Sequence, residues 1–307
     1  MAPDSDRLAG LKIRLALFLI RLLGLLPLKL LSTLAVPAGW LAWRLPLKQH
    51  AVIATNLALA FPELDDTACE QLHREHLVEM MRLVLETGAV WHWSAEAIGR
   101  HMRRIDGWEH IEQARQGGRG VILVSAHLGN WEIANLYLGA HLPLTSLYRA
   151  PRDPAADRAV IASRQRLGGE LVASGSPAMR RLLQRLRQGG AVALMADQQP
   201  KQGEGVFTPL FGTPALTMTL VNRLARRTAC PVLFVAPYRL SGGRGWSLDI
   251  RPAPDAINDA DPVRANRVFH AWLEAAIRRH PAQYLWSYKR FSIRPAGEAP
   301  IYPPRRS

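Results

Sequence analysis

Hydrophobic and polar positions change character along this chain. Residues 8–47 are the most apolar stretch, with the runs 15–20 and 22–26 broken by Lys12, Arg14, Arg21, Pro27 and Lys29. No small-x-small site closes a clean apolar segment, so a cleaved leader is not indicated. A spanning helix would bury Arg21 at a cost of about 2.5–3.5 kcal/mol. Arg7, Arg14 and Arg21 recur at heptad spacing, which keeps them near one helix face opposite the leucines. That pattern predicts a helix lying in a membrane interface, or a short anchor whose arginines reach the headgroups. Residues 50–105 read as helices, including one capped by Asp65 or Asp66 and carrying Leu72, Leu77, Met80, Met81 and Val84 as far as Gly88.

From Gly107 onward strands and helices alternate. Residues 121–124 are a continuous apolar run behind a glycine cluster, the mark of a strand covered on both faces. Gly129-Asn130 is turn chemistry, and Glu132 opens a segment with helical apolar spacing. A strand over 143–148 ends at Arg149, and a helix over 154–167 carries Arg164. A helix over 176–187 leads to a buried strand over 191–196, which ends at Asp197-Gln198-Gln199. Residues 200–214 read as a glycine-containing loop, with a helix starting at Thr213-Pro214. A strand over 231–236, an antiparallel one over 246–250 and a helix over 262–280 complete the pattern. The fold expected is α/β, with a mixed, largely parallel central sheet flanked by helices and an N-terminal helical membrane anchor. The division is residues 1–48 as anchoring segment and 49–307 as the α/β domain.

Charge sharpens this picture. Lys and Arg number 39 against 25 Asp and Glu, a formal net charge of +14. Such a balance asks for a polyanionic partner, and nine Trp favour a membrane interface over nucleic acid. RNP, KH-type and zinc-finger patterns are missing, so no nucleic-acid partner is expected. Cys69 and Cys230 make neither a disulfide framework nor zinc spacing, so no metal site is expected.

His127, Arg149 and Asp197 each follow a strand, where open α/β sheets gather ligands. On one continuous helix His127 and Glu132 would lie roughly 140° apart. Across a strand–turn–helix junction the turn can bring the Glu132 carboxylate onto the His127 imidazole, fixing its tautomer for general-base work. Arg149 and Arg164 offer fixed positive charge for a phosphate or a developing oxyanion. Ser125 sits inside the strand pattern with no elbow glycine after it, so it is not read as a nucleophile.

His127-Leu-Gly-Asn-Trp-Glu132 resembles the His-x-x-x-x-Glu signature of the bacterial lipid A late acyltransferases, the lauroyl/myristoyl transferase family related to lysophospholipid acyltransferases. Further matching stretches are Asn56-Leu57 with Phe61-Pro62-Glu63, Tyr148-Arg149, Arg164 with Gly168-Gly169, Asp197-Gln198, residues 205–212, and residues 281–286 with Arg290-Phe291. They span roughly residues 10–295. Many members have a His before the final basic pair, where this chain has Tyr288-Lys289-Arg290. The resemblance implies acyl transfer from acyl–acyl carrier protein to a hydroxyl of a lipid A precursor, with no cofactor. His127 would be the base and Glu132 its partner; Arg149 and Arg164 would serve the oxyanion or a phosphate. Asn130, the backbone near Gly129 and Asp197 join the substrate and oxyanion candidates. Trp91, Trp93 and Trp108 either line an acyl-chain groove or are core aromatics. An anionic membrane, at the cytoplasmic face of the inner membrane, is the expected setting. The alternatives are another glycolipid acceptor, such as a phosphatidylinositol mannoside, or a non-catalytic lipid-binding protein.

Overall fold

A computed structural model describes Leu15 and residues 18–303 except Arg152. The heptad positions Arg7 and Arg14 lie outside the described residues. Residues 18–23 are helical, and four helices follow: α1 (Leu28–Arg44), α2 (Gln49–Ala60), α3 (Asp66–Val90) and α4 (Ala95–His101). The alternating part comprises β1 (Met102–Asp106), α5 (Trp108–Gln116), β2 (Val121–Ser125), α6 (Trp131–His141), β3 (Leu144–Tyr148), α7 (Pro154–Gln165), β4 (Glu170–Ala173) and α8 (Ser176–Arg187). The chain continues with β5 (Ala191–Met195), β6 (Gly205–Leu210), β7 (Thr213–Met218), α9 (Leu220–Thr228), β8 (Val232–Arg239), β9 (Trp246–Pro252) and α10 (Pro262–Arg279).

The main sheet has the order β1-β9-β8-β2-β5-β3-β4. Strands β8, β2, β5, β3 and β4 run parallel, β9 turns back antiparallel beside β8, and β1 runs with β9. The expected α/β architecture with a mixed, mostly parallel sheet is therefore present. Apolar runs put both faces of β2 under cover: Ile122 and Val124 pack with Leu182, Val221 and Phe269, while Val121 and Leu123 pack with Ile111, Ile133 and Leu28. Helix starts carry their own chemistry. The Asp65 side chain accepts from the Ala68 N–H at 2.8 Å, and Asp153 accepts from Ala155 and Ala156 ahead of Pro154.

Several expectations need correction. Residues 205–218 form an antiparallel hairpin, β6–β7, rather than a loop and a helix start; the helix expected from Thr213 begins at Leu220. Prolines 209 and 214 face each other in that ladder, so neither removes a hydrogen bond that a central strand would need. The segment read as wholly helical to residue 105 ends in strand β1. Strand β4 was not foreseen.

Helix α1 packs along α3 and buries Leu28, Leu31, Ala35 and Ala42. Its other face, with the residues before it, leaves Phe18, Leu22, Leu25, Leu34, Trp40 and Leu41 exposed, Leu25 by 78%. Among the described residues no helix is long and apolar enough to cross a membrane.

Candidate active site

Two neighbouring parallel strands build the site. In their register Val121 faces Ala191 and Ser125 faces Met195. Carried two residues past the strand ends, the same register sets His127 beside Asp197. The Asp197 carboxylate takes the His127 turn with both oxygens. Oδ2 accepts the His127 backbone N–H at 3.0 Å, and Oδ1 lies 2.9 Å from the ring Nδ1. With Nδ1 donating to the carboxylate, Nε2 keeps its lone pair. The Gln198 side-chain nitrogen lies 3.3 Å from Nε2, and Trp131 meets the ring edge-on at 4.9 Å. His127 is 18% exposed in its side chain and Asp197 only 2%.

Burial alone would raise the Asp197 carboxyl. The positive charge available on His127, its hydrogen bonds and the nearby Arg290 guanidinium outweigh burial and hold the group below the usual carboxylate range. The Tyr284 hydroxyl is pushed far up by burial and by Asp197. Tyr284 comes from a segment that straps the turn. Leu128 bridges Tyr284, the Leu285 N–H donates to the His127 carbonyl at 3.0 Å, and the Gly129 N–H donates to the Gln283 carbonyl at 3.0 Å. Gly129 has φ 58°, and a Cβ there would collide with the Pro237 carbonyl oxygen.

The carboxylate on the imidazole is thus Asp197, where Glu132 was expected. Glu132 lies buried in the first turn of α6 with other partners. Arg164, in the last turn of α7, donates through Nε to Oε2 at 2.8 Å and through a terminal nitrogen to Oε1; the Trp91 indole donates to Oε2 at 3.0 Å. Burial would raise the Glu132 carboxyl, but the Arg164 charge and these hydrogen bonds hold it low. Asp197, expected among the substrate and oxyanion groups, is instead the imidazole's partner.

Asn130 caps α6. Its Oδ1 accepts from the Ile133 N–H at 3.2 Å and its Nδ2 donates to Glu86 at 3.0 Å. Both ends of its fully buried amide thus hold protein groups, and the Gly129 N–H is bonded to the Gln283 carbonyl. Beneath Asn130 lies a buried ionic cluster that the sequence reading missed. Arg239 donates to Glu86 at 2.8 Å and to Glu79 at 2.5 Å, and Arg82 pairs with Glu79. Gln283 closes it by bonding both the N–H and the carbonyl of Arg239. The cluster fixes the turn between β2 and α6 from below. Arg149 is exposed just past β3, on the same sheet edge, and makes no ion pair among the described residues. Ser125 donates to the Val235 carbonyl at 2.8 Å, as befits a strand residue rather than a nucleophile.

Trp91 also lines a cavity of about 370 Å³ with Phe18, Ile20, Ala159, Ala162 and, at polar positions, Arg21 and His92. Trp93 stacks on His101, and Trp108 packs against Tyr137 and His141, as core aromatics do. A larger apolar cavity of about 520 Å³, walled by Phe234, Val268 and Trp272, touches none of these site residues.

A family model for bacterial lipid A biosynthesis acyltransferases matches residues 4–292. The chain belongs to that family. It is 29% identical over 278 residues to the lipid A biosynthesis lauroyltransferase of Escherichia coli K12, covering 89% of this chain and 88% of that protein. It is 26% identical over 278 residues to the palmitoleoyltransferase of the same strain, covering 90% of each. The myristoyltransferase of that strain is 24% identical over 285 residues, covering 91% of this chain and 86% of that protein. Membership makes the chain an acyltransferase. The acyltransferase carries its His-x-x-x-x-Glu sequence as two adjoining side-chain pairs, His127–Asp197 and Glu132–Arg164, on the two sides of one turn.

Proposed function

We propose that this acyltransferase moves a fatty acyl chain from an acyl–acyl carrier protein thioester to a hydroxyl of a lipid A precursor, with His127 as general base. The observation that carries the reading is the Nδ1–Asp197 contact of 2.9 Å, which puts the lone pair on Nε2, where the Gln198 amide nitrogen lies at 3.3 Å and gives way to the acceptor hydroxyl. The acceptor oxygen attacks the thioester carbonyl carbon while its proton passes to Nε2. The tetrahedral oxyanion then collapses, the C–S bond breaks, and the thiolate takes the proton back from Nε2. Asp197 compensates the imidazolium during the interval between the two transfers. A thioester is already activated, so no covalent acyl-enzyme is needed.

Glu132 acts as a positioning residue that holds Arg164, and Arg164 faces the developing oxyanion or a lipid phosphate. The N-terminal dipole of α6, beside His127, favours the same negative charge. Arg149, solvent-facing on the site edge, meets a phosphate of the acceptor, and the apolar-walled cavity beside Trp91 takes hydrocarbon. Residues 1–48 serve as the membrane-contacting segment and 49–307 as the catalytic domain, at the cytoplasmic face of the inner membrane. Supporting this, the exposed leucines around α1 share a surface with Lys29 and with Arg44, whose guanidinium lies 3.6 Å from the Trp40 ring centre.

Two measurements test the reading. Purified His127→Ala is expected to fold and to lose transfer of labelled acyl chain from carrier protein to lipid acceptor; wild-type rates would discard the mechanism. Leu25→Glu/Leu34→Glu is expected to stop flotation with anionic vesicles, because each leucine withdrawn from hydrocarbon costs about 1.5–3 kcal/mol. Unchanged flotation would remove the membrane assignment.

A further inference from the structure

Helices α8 and α9 pack side by side on one face of the sheet, through Leu182 and Leu186 and through Val221 and Leu224. Both run antiparallel to the central strands, since each ends where a strand begins, so both N-termini lie at the sheet edge that holds His127. Their outward faces are basic. On α8, Arg180 and Arg187 are exposed; on α9, Arg223, Arg226 and Arg227 are exposed at i, i+3 and i+4. Neither helix contains an Asp or Glu. Arg181 and Arg185 turn inward to Glu170, whereas the five outward guanidiniums make no ion pair among the described residues.

We propose that this α8–α9 face docks a small acidic protein. Identifying that protein with the thioester carrier rests on the function proposed above. Geometry favours a protein over the bilayer. Surfaces that enter lipid mix basic with large apolar residues, and among the described residues the exposed large apolar side chains lie in residues 15–47 and at Val84, none on α8 or α9. Moreover, Leu28 anchors α1 in the core on the opposite face of the sheet. Arg180 and Arg223 lie toward the His127 end of these helices, whereas Arg187, Arg226 and Arg227 occupy their last turns at the far end, so an acidic carrier steered onto this face reaches His127 with its thioester arm extended over roughly 14–18 Å of helix.

The test reverses charge at R180E/R187E/R226E/R227E, none of them in the catalytic machinery, and compares two donors, acyl-carrier protein and a small acyl-N-acetylcysteamine thioester. The KM for the carrier-bound donor is expected to rise about tenfold or more, with kcat and turnover of the small thioester unchanged. The wild-type KM for the carrier-bound donor is expected to climb with added salt, while that for the small donor stays flat; this measurement does not depend on the variant folding. An unchanged carrier KM, equal losses on both donors, or loss of anionic-vesicle or duplex-DNA binding with carrier KM intact would overturn the docking assignment. Should the wild type use the small thioester but not the carrier-bound donor, the donor reading itself falls, and docking with it.

Discussion

Asp197→Asn is the most informative single substitution. Asn is nearly isosteric, so packing is kept. The two contacts of Asp197 dictate how the new amide must sit. The His127 N–H, now 3.0 Å from Oδ2, needs an acceptor, so the amide oxygen takes that position. The amide nitrogen then faces Nδ1, where it can only donate. The imidazole must answer with the other tautomer, protonated at Nε2 and unable to accept the hydroxyl proton. The charge term adds to this. A carboxylate 2.9 Å from an imidazolium contributes about 6 kcal/mol at an effective dielectric constant near 20, less whatever water reaches the 18% exposed ring. The analogous loss in serine proteases lowers turnover about 10⁴-fold. We expect transfer by Asp197→Asn to fall about 10³–10⁴-fold, with thermal unfolding and vesicle binding near wild type. Initial rates of labelled acyl transfer measure it. A variant within threefold of wild type would refute the reasoning that Asp197 sets the imidazole for catalysis.

The remaining expectations concern the supporting groups. Glu132→Gln leaves the Arg164 guanidinium partly buried against a neutral amide, so activity should drop and the midpoint of urea unfolding should fall, whereas the double variant Glu132→Gln/Arg164→Met should recover stability without activity; equal stability of single and double variants would argue against the pair. Arg239→Met leaves the buried Glu86 carboxylate without its cation and Glu79 with Arg82 alone, and should cost about 3–5 kcal/mol in denaturant unfolding; a loss under 1 kcal/mol would mean the cluster does not brace the turn. Acid should weaken the fold through buried histidines. Burial depresses His270 to about 3 and His76 to about 4, so both stay neutral when folded but gain protons when unfolded below about 6.5. The unfolded chain then binds more protons, and stability should fall steadily from pH 6.5 to 4, by up to about 1.4 kcal/mol per pH unit for each histidine. His270→Gln should flatten that slope; an unchanged slope would contradict the assignment.

The parts of the fold that could be read locally were those with an unbroken pattern. Strands β2, β5 and β8 carry Val, Ile and Leu on both faces, and that pattern survives without any knowledge of neighbours. Edge strands β1 and β4 hide because solvent lets them carry Arg103, Arg104 and Glu170. The β6–β7 hairpin hides behind Pro209, Pro214 and glycines that look like loop chemistry. At the site, His127, Glu132, Arg164 and Asp197 were all legible as candidates, but their pairing was not. Which carboxylate meets the imidazole is decided by β2 and β5 being sheet neighbours in register, a long-range fact that a local His-to-Glu spacing does not carry. The signal was nonetheless present as two apolar strands, each followed at the same offset by a polar residue. The Arg239–Glu86–Glu79 cluster offered no such signal, since isolated charges along α3 look like a solvated helix face until tertiary packing buries them.

The tautomer of His127 tests the central claim most directly. Nitrogen-15 chemical shifts of the neutral ring in histidine-labelled protein should place the proton on Nδ1 and leave Nε2 without one, and Asp197→Asn should invert that arrangement. A wild-type ring protonated at Nε2 alone would contradict the account.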